Sequence, residues 1–211
     1  MKVVLDPVHG YIELDNLAQD LLSTPQMQRL RRVKQLGFSN LVYPGANHTR
    51  FEHSLGAMHL ASVLTRSLDS IEEDRKIEVK AATLLHDVGH GPLSHVTENI
   101  IDKYTRRRHD DVKEILGKGE IKEVLSKHGI SPGNLVKHIK GETSVGQILS
   151  SEIDVDRMDY LVRDAHYTGV AFGVVDYNRL INQMDFYEDR LVVNYGGLKA
   201  AESLLVSRFW M

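Results

Sequence analysis

The sequence contains no cysteine. That excludes disulfide frameworks, thiolate zinc sites and cysteine nucleophiles. It has one tryptophan and five prolines in 211 residues, with no internal repeat or low-complexity tract. No run approaches the roughly 20 apolar residues that span a bilayer. The opening segment MKVVLDPVHG offers only Val3-Val4-Leu5 before Asp6, so no secretory leader or membrane partner is expected. An excess of positive charge is also missing. Lys+Arg number 26 against 29 Asp+Glu, a net charge of −3, which does not favour nucleic acid as a partner. Apolar residues at 42% and charged residues at 26% suit one folded domain over 1–211, and a cytoplasmic location is the expectation. Histidine, by contrast, is plentiful, with 11 residues, and it supplies metal ligands and proton carriers near neutral pH.

Apolar spacing predicts a mostly helical chain. Thr24-Pro25 reads as a capping hydroxyl before a proline at the first helical position. The Gly-, Pro- and Asn-bearing segment 37–50 reads as a loop, followed by a helix over 53–68. Residues 79–86 form the most apolar helical stretch and are expected to be the central buried helix, stopping near Gly89. Shorter helices are predicted over 93–102, 109–116, 120–128 and 132–139, and a stronger one over 152–167. Residues 184–194 read as a β-hairpin turning at Glu188-Asp189, and 197–211 as a last amphipathic helix. These two elements read as the start of a further C-terminal region.

The chemistry concentrates in LLHDVGHGPLSH, residues 84–95, with three His and one Asp within ten positions. Adjacent imidazole and carboxylate at a helix end can reach one cation, and a divalent metal accepts that mixed set. Buried on an apolar helix, Asp87 would be costly as a free anion unless a cation neutralised it. Two ligands are too few, so His53 and one of Asp154 and Asp156 are candidates to complete the site. Asp156, Tyr160, Asp164 and Tyr167 recur at helical spacing on one face, with Arg163 at its edge. Carboxylates and phenols together make poor core and good pocket lining.

Five segments then carry a resemblance: DPVHGYIEL (6–14), TPQMQRLRRVKQLG (24–37), YPGANHTRFEHSLG (43–56), LLHDVGHGPLSH (84–95) and IDVDRMDYLVRD (153–164). Together they resemble the HD-domain phosphohydrolase superfamily, in its dNTP triphosphohydrolase branch. The resemblance implies an all-α HD fold and one metal held by His53, His86, Asp87 and Asp156, the second Asp of IDVD. Fe, Mn, Zn, Mg, Co and Ni all suit such a donor set. It further implies that His90, His95 and His109 contact phosphate and transfer protons, supported by Glu98 where a member of the branch carries Asp. Arg50 would lie along the base and α-phosphate, and Arg157 would hold the phosphate chain where a member has Lys. Gln35, Leu36, Tyr160 and Asp164 would line the sugar pocket. The implied reaction converts a dNTP to deoxynucleoside and triphosphate.

The resemblance also implies a homo-oligomer, dimer or tetramer, with regulatory nucleotides bound at Lys2, Val3, Gln28, Arg31, Asp176 and Arg179. Ser23 stands where a guanine-reading Asp occurs in a member of the branch. His9, His48, His59, His128 and His138 read as surface or capping histidines, and Arg29 as part of a solvated helix face. Other readings of the same residues are a 5′-nucleotidase, a phosphodiesterase, or a weakly catalytic module that binds nucleotide or nucleic acid.

Overall fold

The computed structural model describes residues 2–105 and 111–211. The chain opens with an antiparallel hairpin, β1 (Lys2–Asp6) and β2 (Gly10–Leu14), paired from Lys2↔Leu14 to Asp6↔Gly10. This hairpin was not expected, because only Ile12, Leu14 and Asp6 are buried and β1 is too short and exposed to show alternation. Then follow α1 (Asn16–Leu22), α2 (Pro25–Arg29) with a 3-10 turn at Leu30–Arg32, and the long α3 (Arg50–Arg66). Next come α4 (Glu73–Leu85), α5 (Ser94–Thr105), α6 (Lys113–Leu116), α7 (Gly119–Lys127) and α8 (Pro132–Ile139). The chain continues through α9 (Val155–Thr168) and α10 (Tyr177–Ile181), then the hairpin β3 (Met184–Tyr187)–β4 (Arg190–Val193), and α11 (Leu198–Trp210). Helical content and the C-terminal hairpin match the all-α expectation.

Local chemistry explains the boundaries. Glu52 turns back to accept the Thr49 N–H at 2.6 Å, as in the return half of a capping box, so α3 starts at Arg50, three residues before the expected start. Asp154 accepts from the Arg157 N–H at 2.8 Å and starts α9, and Gly169 at φ 78° ends it. Thr24 does not cap α2, because its hydroxyl instead donates backwards to the Leu21 carbonyl at 2.7 Å. Glu188 and Asp189, at φ 47° and 60°, make the tight β3–β4 turn whose twist matches the strands.

The central buried helix is α3, not the expected 79–86 segment. Phe51, Leu55 and Met58 join one apolar cluster with β2, α1, α2, α4, α7 and α8. Leu60, Ala61 and Leu64 join a second with α9, α10 and α11. Helix α4 is buried only along Val79 and Ala81–Leu85, since its first turns face solvent. The site lies where α3, the end of α4 and the start of α9 meet.

Candidate metal centre and its surroundings

Helix α3 presents His53 inward, with its side chain 1% exposed. Helix α4 tightens into a 3-10 turn, His86–Gly89, that presents His86 and Asp87 together. The first turn of α9 supplies Asp156. His53 Nε2 and His86 Nε2 lie 3.2 Å apart, and Asp156 Oδ1 lies 2.9 Å from the first and 3.6 Å from the second. The outer nitrogens are anchored. His53 Nδ1 lies 2.8 Å from Asp159 Oδ2, and His86 Nδ1 lies 2.7 Å from the Thr83 carbonyl. With each Nδ1 anchored outwards, both Nε2 atoms turn to one point beside a carboxylate oxygen, the arrangement a metal-binding histidine needs once Nε2 gives up its proton. His53, His86 and Asp156 offer ligand atoms within 4.8 Å of one another. Two imidazoles and a carboxylate fit a borderline divalent cation.

The expected fourth ligand, Asp87, stands at the edge of this set. Its Oδ1 is 3.4 Å from His86 Nε2 and 3.2 Å from His90 Nε2, while Oδ2 accepts from Arg50 Nη1 at 2.7 Å. The electrostatics suit a cation. Burial alone would depress His53, but its bonds to Asp156 and Asp159 push it up to about 10. Burial likewise opposes the charge on His86, and Asp87 and Asp156 raise it. Burial would raise Asp87 and Asp156 too; His86, Arg50 and His90 around the first, and His53 and His86 around the second, hold both below the usual carboxylate range.

These groups floor a cavity of about 680 Å³ whose wall includes Gln35, Tyr160 and Arg50. Residues 50–164 match the HD domain family, and residues 175–211 match the HD associated region. The chain belongs to the HD-domain family. It is 39% identical over 226 residues to the uncharacterized protein YwfO of Bacillus subtilis, covering 100% of this chain and 50% of that protein. It is 35% identical over 223 residues to the deoxynucleoside triphosphate triphosphohydrolase SAMHD1 of Homo sapiens, covering 86% of this chain and 35% of that protein. A solved phosphohydrolase of Bacteroides thetaiotaomicron superposes with a TM-score of 0.88 at 37% identity, covering 100% of this chain and 53% of that one. The chain therefore spans about half the length of YwfO and about a third of human SAMHD1.

Other expected site residues of this HD domain are distributed unevenly. His90 lines the cavity. Glu98 is half-buried on α5 and Leu36 half-buried near Gln35. His109 and the side chain of His95 lie outside the described residues. Asp164 is 6% exposed, and its Oδ1 is held by His48 Nε2 at 2.7 Å. Arg157 turns its guanidinium onto Asp154 and the Ser151 carbonyl. Asp154, the alternative carboxylate, is thereby spent as a helix cap and ion-pair partner.

The residues expected to hold a regulatory nucleotide divide. Lys2, Gln28 and Arg31, with Ser23, line a second cavity of about 500 Å³, where the Arg31 guanidinium lies 3.7 Å over the Phe51 ring. Val3 is beside it on β1, half-exposed. Asp176 caps α10 and Arg179 donates to the Gly196 carbonyl, away from that cavity.

Several residues had a different role from the expected one. Arg29 is no solvated charge, since it donates to the Val88 and His90 carbonyls at 2.8 and 2.7 Å and clamps the turn that carries Asp87. The side chains of His9, His48 and His138 are buried rather than at the surface, and bond Asp159, Asp164 and Glu78 respectively. Arg163 is fully buried on Asp6 and Asp159 rather than at a pocket edge. Lys140 and Glu142, after α8, line the metal-site cavity and carried no motif. Among the described residues no helix is long and apolar enough to cross a membrane.

Proposed function

We propose that this chain carries the catalytic centre of a metal-dependent phosphohydrolase that takes deoxynucleoside triphosphates and releases deoxynucleoside and triphosphate. The observation that carries this reading is the convergence of His53 Nε2, His86 Nε2 and Asp156 Oδ1 on the floor of a cavity that also holds Arg50. A divalent cation there, held by these three with Asp87, would polarise a phosphoryl oxygen and make hydroxide available near neutral pH. The residues of the chain divide the remaining work. Arg50, fixed by Asp87 at 2.7 Å, presents its charge to the phosphates without a search through rotamers. His90, 3.2 Å from Asp87 Oδ1, is oriented to give a proton to the departing 5′-oxygen. In this reading His95 and His109 complete the proton-transfer set, supported by Glu98. Tyr160 and Gln35, on the cavity wall, receive the deoxyribose in this reading; Leu36 and Asp164, which also belong to the expected sugar pocket, are not among the cavity's lining residues. Arg157 is committed to Asp154 and Ser151, so it must let go of them to reach the phosphate chain.

Phosphorus NMR of the products after incubating dNTPs with each candidate metal tests this directly. Inorganic triphosphate is the expected product. Orthophosphate released from deoxynucleoside monophosphates would make the protein a 5′-nucleotidase instead, and metal-independent binding without turnover would make it a nucleotide-binding module.

A second reading concerns the cavity that gathers Lys2, Gln28 and Arg31. It suits a regulatory nucleotide bridging copies of the chain. Ser23 there offers a hydroxyl where guanine recognition would use a carboxylate, so activation is expected not to require GTP. Titrating GTP into a dATP hydrolysis assay, with oligomeric mass followed in parallel, checks both parts. Strict GTP dependence would refute the lack of guanine selectivity.

A further inference from the structure

Behind His53 a closed set of buried polar groups leads to the N-terminal turn. Asp159 presents Oδ2 to His53 Nδ1 at 2.8 Å and Oδ1 to His9 Nε2 at 2.6 Å. Arg163 grips both oxygens, through Nε and Nη2 at 2.9 Å each. The same guanidinium reaches Asp6 Oδ2 through Nη1 at 2.8 Å. Asp6 Oδ1 in turn accepts the N–H groups of Val8 and His9, both at 2.9 Å, and so shapes the turn that delivers His9. The four side chains of Asp6, His9, Asp159 and Arg163 are at most 3% exposed. Space for them is made by Gly56 on α3. A Cβ there would stand 1.9 Å from Asp159 Oδ1 and 2.2 Å from Arg163 Nη2.

None of these residues lines the cavity of the metal centre, yet they surround the carboxylate that holds His53 Nδ1. Arg163 alone would hold Asp159 in place. What His9 adds is a second donor at Oδ1 from the far side, which ties the carboxylate, and through it the His53 ring, to the N-terminal turn. We propose that the Asp6–His9 turn is a positioning element for the metal centre, with His9 acting through Asp159 to set the orientation of His53. The inference rests on the reading of His53 as a metal ligand.

Groups that hold a metal-bound histidine from behind change metal affinity by about 10- to 100-fold when removed. His9 stands one step further out, so about tenfold is expected. The test pairs two amides of different reach. In His9→Gln the amide nitrogen can occupy the place of Nε2 and still donate to Asp159. In His9→Asn it can reach only the place of Nδ1, which faces the Tyr177 hydroxyl at 3.4 Å. Cobalt(II) binding is followed by calorimetry and by the visible absorption bands that report ligand geometry. His9→Asn should bind cobalt about tenfold more weakly with shifted bands, and His9→Gln should recover both, while the metal-free melting temperatures of the two variants stay close.

Wild-type affinity and bands in both variants would overturn the inference and leave the metal centre standing. A wild-type chain that binds no cobalt would overturn the metal centre and this inference together. If neither variant folds, nitrogen NMR of the wild-type histidines decides. Zinc must move the His9 Nε2 resonance, and an unmoved resonance overturns the proposal.

Discussion

Asp156 and Asp159 stand one turn apart on α9 and approach the same imidazole from opposite sides. Asp156, its side chain 30% exposed, faces His53 Nε2 across the floor of the cavity. Asp159, fully buried, holds His53 Nδ1 and is matched by Arg163 and His9. Burial would raise Asp159, but Arg163, His53 and His9 hold it well below the usual carboxylate range. One carboxylate shares its surroundings with a place for a cation, and the other is satisfied by protein alone. A buried polar group is inexpensive when every partner is present and costly when one is missing. The open set is therefore where ligands act, and the closed set is where the fold is committed.

Replacing each carboxylate in turn separates these roles. Asp156→Ala removes a ligand and should cost both metal and turnover, with kcat/KM down by about 10³-fold or more once the metal-activated water is lost. His86→Ala and Asp87→Ala belong with it, and metal content by elemental analysis should fall together with activity. Asp159→Asn keeps the ligands and should weaken metal binding by about 10- to 100-fold. Full metal occupancy and unchanged activity in Asp156→Ala would reverse the assignment of the two faces.

Gly56→Ala attacks the closed set without touching a ligand. The added methyl meets Asp159 and Arg163 far inside contact distance. A loss of about 1–3 kcal/mol or more is expected from forced repacking, visible as a lower Tm in the absence of metal. A Tm equal to wild type would mean that α3 and α9 separate easily.

Acid–base linkage gives a third comparison. His53 is raised from an ordinary 6.5 to about 10 in the metal-free protein. Its contribution to stability is thus fully present below about pH 6.5 and is lost as pH rises toward 10. A cation needs the same Nε2 without its proton, so metal binding should release protons at pH 7 and tighten as pH rises. Calorimetry in buffers of different ionisation enthalpy measures the release directly, and binding with no proton released would remove His53 from the ligand set.

The smallest effects belong to the cavity wall. Tyr160→Phe should leave stability near wild type and narrow the preference for a deoxynucleotide over its dideoxy analogue, because a site built to pair a hydroxyl penalises its absence. Lys140, exposed at the mouth, should alter KM for a triphosphate by only about 2- to 5-fold when changed to Ala, the scale of a solvated charge. Equal rates on dGTP and dideoxy-GTP in the wild type would take Tyr160 out of sugar recognition.

The open set was legible in the sequence and the closed set was not, for a physical reason. His86 and Asp87 are adjacent and announce themselves locally, while the choice of Asp156 over Asp154 came from the family resemblance. His9, His48 and His138 are lone histidines whose partners Asp159, Asp164 and Glu78 lie 150, 116 and 60 residues away. No periodicity reveals such pairs. Arg29 looked like surface charge because its acceptors are backbone carbonyls, which leave no mark in a sequence. Helices α3, α5, α7, α8, α9 and α11 came through within three residues, since 3.6-residue spacing survives burial, whereas the short α1 and α10 carried too few turns to show it. The centrality of α3 did not, because a helix wrapped by two apolar clusters carries Arg50, His53 and Ser54 among its buried residues and reads as less apolar than the short 79–86 run that closes α4.

The HD match begins at residue 50 and ends at residue 164, and the closed set does not respect that boundary. A fragment trimmed to it would retain His53, His86, Asp87 and Asp156 while discarding Asp6 and His9. It would also discard Ile12, Leu21, Met27 and Leu30, each wholly buried against the helices that remain. Arg163 would then face a void where a carboxylate had been. The recurring unit is accordingly smaller than the buried network and core that it shares with the residues before it, and a centre transplanted into another scaffold leaves these partners behind unless residues 2–49 travel with it.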